Sequence, residues 1–147
     1  MNAIHALKLE HIGIERELFE LDAIMDGEVI NYPNLLHVFR RLCELWDPHE
    51  VMEEKVFGVM KKERIKVPVY TMTCEHRDLR GHVKKMKEAI NSGSDYRIRK
   101  CFHDDLRIIV GKIRRHMLVE DEVLYTLALE VFTDEELAEM NKLVKEG

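Results

Sequence analysis

Two histidine–glutamate pairs, each with the glutamate four residues after the histidine, restrict how this chain can fold. The pairs are His49 with Glu53 and His116 with Glu120. On a helix, residues four apart lie on the same face, one turn from each other. Apolar residues fill the rest of that face in both segments: Leu35, Phe39, Leu42, Trp46, Val56 and Met60 in the first, and Phe102, Leu106, Ile109, Ile113, Val123 and Leu127 in the second. The face with the pair is therefore the face that a helix would bury.

Two buried glutamates need a partner of opposite charge. An unpaired carboxylate inside a protein costs several kcal/mol, and the neighbouring apolar residues offer it no hydrogen bond. A metal ion is the simplest partner for a glutamate and a histidine on one face. The two pairs therefore predict a metal site inside a helical core.

The apolar stripes predict four long helices followed by a short one. We expect the first over residues 2–26, the second from Leu35 to about residue 62 with Pro33 in its first turn, the third from near Val69, and the fourth from the turn at residues 91–95 to about Val131. Pro48 predicts a kink in the second helix or a restart capped by Asp47. The 63–68 segment should turn the chain, and a capping box at residues 133–136 should open a C-terminal helix that packs through Leu137, Met140 and Val144. The predicted fold is all-α, an antiparallel up-down four-helix bundle with a short extra C-terminal helix.

The first and third helices each carry one histidine in their apolar stripe, His11 and His76. His11 precedes His49 by 38 residues, and His76 precedes His116 by 40. Each half of the chain thus supplies two histidines and one glutamate. This faint repeat indicates a two-metal site with pseudo-twofold symmetry.

Length and composition exclude several classes of function. With 147 residues we expect a single domain over residues 1–147. The net charge of −5 and the absence of a basic stripe argue against a nucleic-acid partner, and no apolar run is long enough to span a membrane. Cys43, Cys74 and Cys101 have no CxxC spacing, so we interpret them as reduced, packed thiols of a cytoplasmic protein.

The histidines and carboxylates together resemble the hemerythrin-like (HHE) cation-binding family, whose members are di-iron four-helix bundles without haem. The matching segments lie between residues 9 and 124: Leu9-Glu10-His11, Ile14-Glu15-Arg16, His49 with Glu53, Glu54 and Phe57, Glu75-His76 with Arg80, and His116 with Glu120, Asp121, Glu122, Val123 and Leu124. The resemblance implies that His11 and His49 bind one iron, that His76 and His116 bind the other, and that Glu53 and Glu120 bridge the two. The same nitrogen and oxygen ligands would also suit zinc or manganese.

The chain departs from the oxygen-carrying members of that family at Arg80. Those members have a further histidine one turn after the third-helix ligand, whereas a guanidinium has no lone pair to offer a metal. This departure argues against reversible oxygen carriage. We expect Arg80 to form an ion pair across the core with Glu15, which lies one turn after His11, or at least to share a polar network with it. Glu15 is also a candidate terminal ligand or a partner of a ligand.

The remaining acidic residues and histidines near the pattern have simpler interpretations. We place Glu54, Asp121 and Glu122 on the solvated face, and His5, His37, His82 and His103 at the surface or its boundary.

The resemblance leaves three hypotheses for function. The first is a di-iron protein that binds, senses or reduces oxygen, peroxide or nitric oxide. The second is an iron-sensing module, and the third is a structural metal site without redox chemistry. The sequence does not decide whether the protein is an enzyme, and it identifies no protein partner.

Overall fold

The computed structural model describes residues 2–61 and 65–146, with side chains as far as residue 143. The described residues form five helices and no strand: α1 Ala3–Met25, α2 Tyr32–Val59, α3 Lys66–Asn91, α4 Asp95–Val131 and α5 Asp134–Glu146. Within α4, residues Phe102–Leu106 and Glu120–Leu124 form wider π-helical turns. No described helix combines the length and the apolar character needed to cross a membrane.

Local sequence signals explain where the helices begin. The side chains of Asn2, Asn31 and Ser94 each accept a hydrogen bond from a first-turn backbone N–H of α1, α2 and α4. Thr133 and Glu136 exchange hydrogen bonds at the start of α5, which confirms the predicted capping box. Between α3 and α4, Gly93 has a φ of 69°, a conformation that glycine adopts without steric cost.

The helix boundaries differ from the predictions in three places. Pro48 lies inside an uninterrupted α2, so the predicted restart at Asp47 is wrong. This helix ends at Val59, and α3 begins at Lys66, so Pro68 stands in its first turn instead of in a connecting loop. A proline costs little in the first turn, because the N–H that it lacks has no partner within the helix. The predictions for residues 62–64 lie outside the described residues.

The helices bury two separate apolar clusters with a polar layer between them. One cluster includes Leu18, Leu42, Met86 and Ile113, and the other includes Leu7, Val56, Met72 and Leu124. Of the C-terminal residues predicted to pack back, Leu137 and Met140 belong to the second cluster, and the side chain of Val144 lies outside the described residues. On each of the four long helices, the residues that separate the clusters include a buried histidine.

The four long helices contact one another in sequence, α1 with α2, α2 with α3, α3 with α4, and α4 with α1. Helix α5 packs on α1 and α2. The polar layer is therefore surrounded on all sides by helices.

Candidate metal centre

The structure brings all six predicted residues together in the polar layer. His11, His49, Glu53, His76, His116 and Glu120 are all buried, none more than 4% exposed. They form two overlapping groups: His11 and His49 with both glutamates, and His76 and His116 with both glutamates. In each group, one ligand atom from each residue lies within 4.8 Å of all the others. Both glutamates are therefore shared between the groups, which agrees with the bridging position that the family resemblance implies for them.

The short distances show that the six side chains converge on a common centre. His11 Nε2 lies 3.2 Å from His49 Nε2 and 3.3 Å from Glu120 Oε1. His76 Nε2 lies 2.8 Å from Glu53 Oε1, and His116 Nε2 lies 3.2 Å from Glu120 Oε2. These are the distances expected between neighbouring atoms that face one ion.

Several of these close atoms make no hydrogen bond to one another. Glu53 Oε1, both carboxylate oxygens of Glu120, and the Nε2 atoms of His76 and His116 are buried without a hydrogen-bond partner among the described residues. His76 Nε2 and Glu53 Oε1 are near enough to bond, but their directions do not suit a hydrogen bond. Unpaired buried polar atoms are rare and costly in proteins. Imidazole nitrogens and carboxylate oxygens that point to a shared centre fit a cation site.

The two glutamates have opposite pKa shifts. Burial raises the pKa of Glu120, and the nearby charge of Glu53 raises it further. Burial also opposes ionisation of Glu53, but contacts with Glu120 and the histidines outweigh it and lower the pKa of Glu53. In the metal-free protein, one carboxylate therefore keeps its proton while the other is ionised, because two adjacent buried charges of the same sign repel.

The histidine pKa values also reflect this crowding. Burial alone would lower the pKa of His49, but hydrogen bonds to Glu10 and Glu53 raise it to about 10. The pKa of His11 is lowered, first by burial and then by the neighbouring His49. The metal-free site thus holds protons that a cation must displace.

A ring of carboxylates surrounds the four histidines. Each carboxylate contacts the Nδ1 atom of one histidine, and it lies on the helix that precedes the helix of that histidine in the ring. The pairs are Glu10 of α1 with His49 at 3.0 Å, Glu54 of α2 with His76 at 3.3 Å, Glu75 of α3 with His116 at 3.5 Å, and Asp121 of α4 with His11 at 2.9 Å. Each carboxylate is the chain neighbour of a predicted ligand. A carboxylate can only accept from Nδ1–H, so the contact places the single proton of a neutral imidazole on Nδ1 and directs Nε2 inwards as the nitrogen that can bind a metal.

The ring corrects the interpretation of Glu54 and Asp121 as residues of the solvated face. Their side chains are 35% and 37% exposed, but each accepts a hydrogen bond from a buried histidine. The sequence signal for them is their position next to Glu53 and Glu120. Glu122 is exposed, as expected.

Sequence reasoning missed Tyr125, which is fully buried beside the site. Its hydroxyl donates a hydrogen bond to Glu53 Oε2, and its ring stacks on His11 with centroids 5.6 Å apart. Tyr125 follows Glu120 by five residues, a spacing that an α-helix would not place on one face. The π-helical turn at Glu120–Leu124 places the two residues on one face, because its backbone hydrogen bond runs from the Tyr125 N–H to the Glu120 carbonyl.

Aromatic rings pack around the remaining histidines. The Trp46 ring lies 5.5 Å from His49 and 5.9 Å from both His76 and His116. Phe57 stacks on His76 with centroids 5.8 Å apart. These rings fix the orientation of the imidazoles and limit the space for water around them.

The predicted ion pair between Glu15 and Arg80 is wrong, and so is the alternative of a shared polar network, because the two side chains have different partners. Glu15 accepts from Arg114 of α4 at 2.9 Å, and Arg80 donates to Glu50 and Glu54 of α2. Helices α1 and α3 each pack on α2 and α4, so a polar side chain on the flank of α1 or α3 meets a neighbouring helix before it can cross the centre. Three groups of side chains among the described residues could hold an ion, the third being Glu50, Glu54 and His76, and Glu15 belongs to none of them, which argues against its candidacy as a ligand.

The other histidines and the cysteines lie outside the two groups. His5, His37 and His103 are exposed and His82 is partly buried, which confirms the surface or boundary interpretation. The three cysteines are free, and burial raises the pKa of both Cys43 and Cys101 to about 11. These two thiols are protonated at neutral pH and are poor metal ligands.

Comparison with known proteins agrees with this geometry. The hemerythrin HHE cation-binding domain family matches the chain over residues 2–128, which include all six candidate ligands. No curated protein and no solved structure matches the chain. Since the match spans most of the sequence and the buried histidines and glutamates fit a cation, the chain belongs to the hemerythrin HHE cation-binding domain family.

Proposed function

We propose that the protein binds two iron ions and uses them to bind, sense or reduce a small oxidant, namely oxygen, peroxide or nitric oxide. The observation that carries this proposal is the set of two overlapping ligand groups that share both glutamates. His11 and His49 would hold one ion and His76 and His116 the other, with Glu53 and Glu120 between them. Two irons bridged by carboxylates would supply redox chemistry towards such an oxidant.

The architecture we infer around this centre is an antiparallel up-and-down four-helix bundle. Short connections at residues 26–31, 60–65 and 92–94 join the four long helices, and consecutive helices are neighbours. Short connections between neighbouring helices favour the antiparallel arrangement. Because Leu137 and Met140 of α5 join the second apolar cluster, we propose one domain over residues 1–147.

The protein residues prepare this centre in three ways. Hydrogen bonds from the ring of carboxylates hold the imidazoles of His11, His49 and His76 so that Nε2 faces the centre. Tyr125 donates to Glu53 and so fixes one bridging carboxylate. Trp46 and Phe57 restrict the water around the histidines.

Six protein ligands shared by two ions do not fill every coordination position. Arg80 occupies the position where oxygen carriers place another histidine, and it is turned towards Glu50 and Glu54. It stays protonated and donates its hydrogens, so it adds no ligand. We therefore expect open positions on the ion held by His76 and His116, and oxidation in preference to a lasting oxygen complex.

The test is to prepare the iron-loaded protein reduced and without air, then to admit air and follow the visible spectrum. We expect irreversible oxidation of the iron. A stable and reversible oxygen complex would contradict the oxidant chemistry, and a protein that takes up zinc but no iron would contradict the di-iron assignment.

Two histidines of α3 provide a matched pair of variants for this test. His76→Ala should abolish the spectral change, because it removes a ligand. His82→Ala should preserve it, since His82 lies on the same helix but outside both ligand groups, with Asp78 as its ion-pair partner at 3.9 Å.

A further inference from the structure

A cavity between α3 and α4 reaches one of the candidate ligands. It has a volume of about 220 Å³ and is lined by Glu75, Asp78, Leu79, Lys112, Arg115 and His116. One water molecule needs only about 10–15 Å³ of such space when polar groups line it, so this cavity has room for several. It therefore connects the surface between these two helices with the edge of the metal centre.

His116 differs from the other three histidines at the point where it meets this cavity. Its Nδ1 lies 3.5 Å from Glu75 and makes no hydrogen bond with a described residue. The other three Nδ1 atoms lie between 2.9 and 3.3 Å from their carboxylates and are hydrogen-bonded. The ring of carboxylates is thus closed at three helix pairs and open between α3 and α4.

The mouth of the cavity is polar and carries both signs of charge. Lys112 Nζ of α4 and Asp78 Oδ2 of α3 form an ion pair of 2.7 Å across it. Arg115 is exposed and has no ion pair with a described residue. Because acidic and basic side chains are balanced there, the mouth attracts neither anions nor cations strongly, and it suits water and small neutral molecules.

We propose that this cavity is the route by which water and a small neutral ligand reach the metal centre, and that His116 is the candidate ligand whose side chain lines that route. The nature of the ligand rests on the proposed function, whereas the route itself rests on the cavity and on the unpaired Nδ1 atom.

The route is tested first without metal, by hydrogen–deuterium exchange at the C2 position of each histidine, measured by mass spectrometry. We expect His116 to exchange faster than His49 or His76. Arg115→Trp, which places a large ring at the mouth, should slow His116 by roughly fivefold and leave His49 unchanged. Asp78→Ala, which removes the ion pair across the mouth, should make His116 exchange faster.

Lys100→Trp is the matched control. Lys100 is also exposed on α4 and lines a separate cavity between α3 and α4, which contains Cys101 and no histidine. This variant should leave all four histidines unchanged. Exchange of His116 as slow as that of His49, or equal rates in all three variants and the wild type, would overturn the proposal.

A second measurement connects the route with function. The reduced iron-loaded protein is mixed with nitric oxide, and the rate of the absorption change is compared between Arg115→Trp and Lys100→Trp. We expect slowing only in Arg115→Trp, and equal rates would overturn the route. No absorption change in any protein, together with the expected histidine exchange, would refute the proposed function and leave the route intact.

Discussion

The orientation of three of the four histidines, His11, His49 and His76, depends on residues that are not themselves candidate ligands. Glu10, Glu54 and Asp121 each accept a hydrogen bond from an Nδ1 atom, and each is only partly buried. A hydrogen bond at Nδ1 determines which nitrogen can bind a metal and which way the ring faces. The orientation of the candidate ligands therefore depends on partly buried carboxylates at the boundary of the core as well as on the residues at its centre.

Tyr125→Phe tests the hydrogen bond to Glu53. The phenylalanine keeps the ring that stacks on His11 but removes the hydroxyl, so we expect about tenfold weaker metal binding, the scale of loss found when partners of ligands are removed. Titration with cobalt, followed by its visible absorption, measures this.

Tyr96→Phe is the control for that prediction, because Tyr96 is a tyrosine of the same helix that is 71% exposed. It should bind cobalt as the wild type does. Equal affinities for Tyr125→Phe and the wild type would show that the hydroxyl does not position Glu53.

The pKa of His49 predicts how stability depends on pH in the metal-free protein. Folding raises this pKa from 6.5 to about 10, so the folded state holds the proton more tightly than the unfolded chain. The stabilisation is complete below about pH 6.5 and is lost as the pH rises towards 10. At 1.36 kcal/mol per pKa unit, this loss has an upper bound of about 5 kcal/mol. The raised pKa of Glu120 acts in the same direction.

Urea unfolding of the chelated protein across this pH range tests that sign. The free energy of unfolding should fall with rising pH, and His49→Gln should show a flatter dependence. A wild-type stability that rises between these pH values would contradict the assignment.

At the scale of the element, the second π-helical turn of α4 decides which residues follow Glu120 into the core. A regular α-helix predicts that Val123 and Leu127 are buried, but Val123 is 46% exposed and Leu127 only partly buried. Leu124, Tyr125 and Ala128 are buried instead. The wider turn contains one additional residue, which shifts the buried face by one position.

Single-residue deletions in α4 test this interpretation. Deleting exposed Glu122 from the π-helical turn should be tolerated, because Tyr125 would then follow Glu120 by four residues in a regular helix and keep its face. Deleting exposed Gly111 from the α-helical part should prevent folding or lower the melting temperature strongly, since it rotates one side of the helix by about 100°. Circular dichroism melts of both variants measure the difference, and equal loss in both would contradict the role of the turn.

At the scale of the whole molecule, the site is a polar layer between two apolar clusters on four helices. Without metal, this layer keeps polar atoms in the core that have no hydrogen-bond partner within the described part of the chain. A ligand present at 100 times its dissociation constant stabilises the folded state by about 2.7 kcal/mol. Adding metal to the chelated protein should therefore raise the melting temperature by at least about 5 °C, as measured by calorimetry.

His76→Ala should lose most of this increase and His82→Ala none. Equal melting temperatures with and without metal would show that the layer is not a cation site.

Sequence periodicity predicted the helices. It also predicted that the six candidate residues lie close together, because polar residues such as Glu53 interrupt otherwise apolar stripes on single helices. Periodicity did not predict the features that depend on contacts between helices or on a change in helical pitch. The partners of Arg80 and Glu15 depend on which helices are neighbours, and the burial of Tyr125 depends on a π-helical turn. The spacing of apolar residues three and four positions apart indicates neither the order of neighbouring helices nor the π-helical turn.

The central claim is that six buried residues hold two iron ions in each chain. Elemental analysis by mass spectrometry of protein produced in iron-replete cells and purified without chelators tests it most directly. We expect about two metal ions per chain, mainly iron, as for other bundles with paired histidines and shared carboxylates. A single tightly held ion per chain, or zinc alone under these conditions, would contradict the claim.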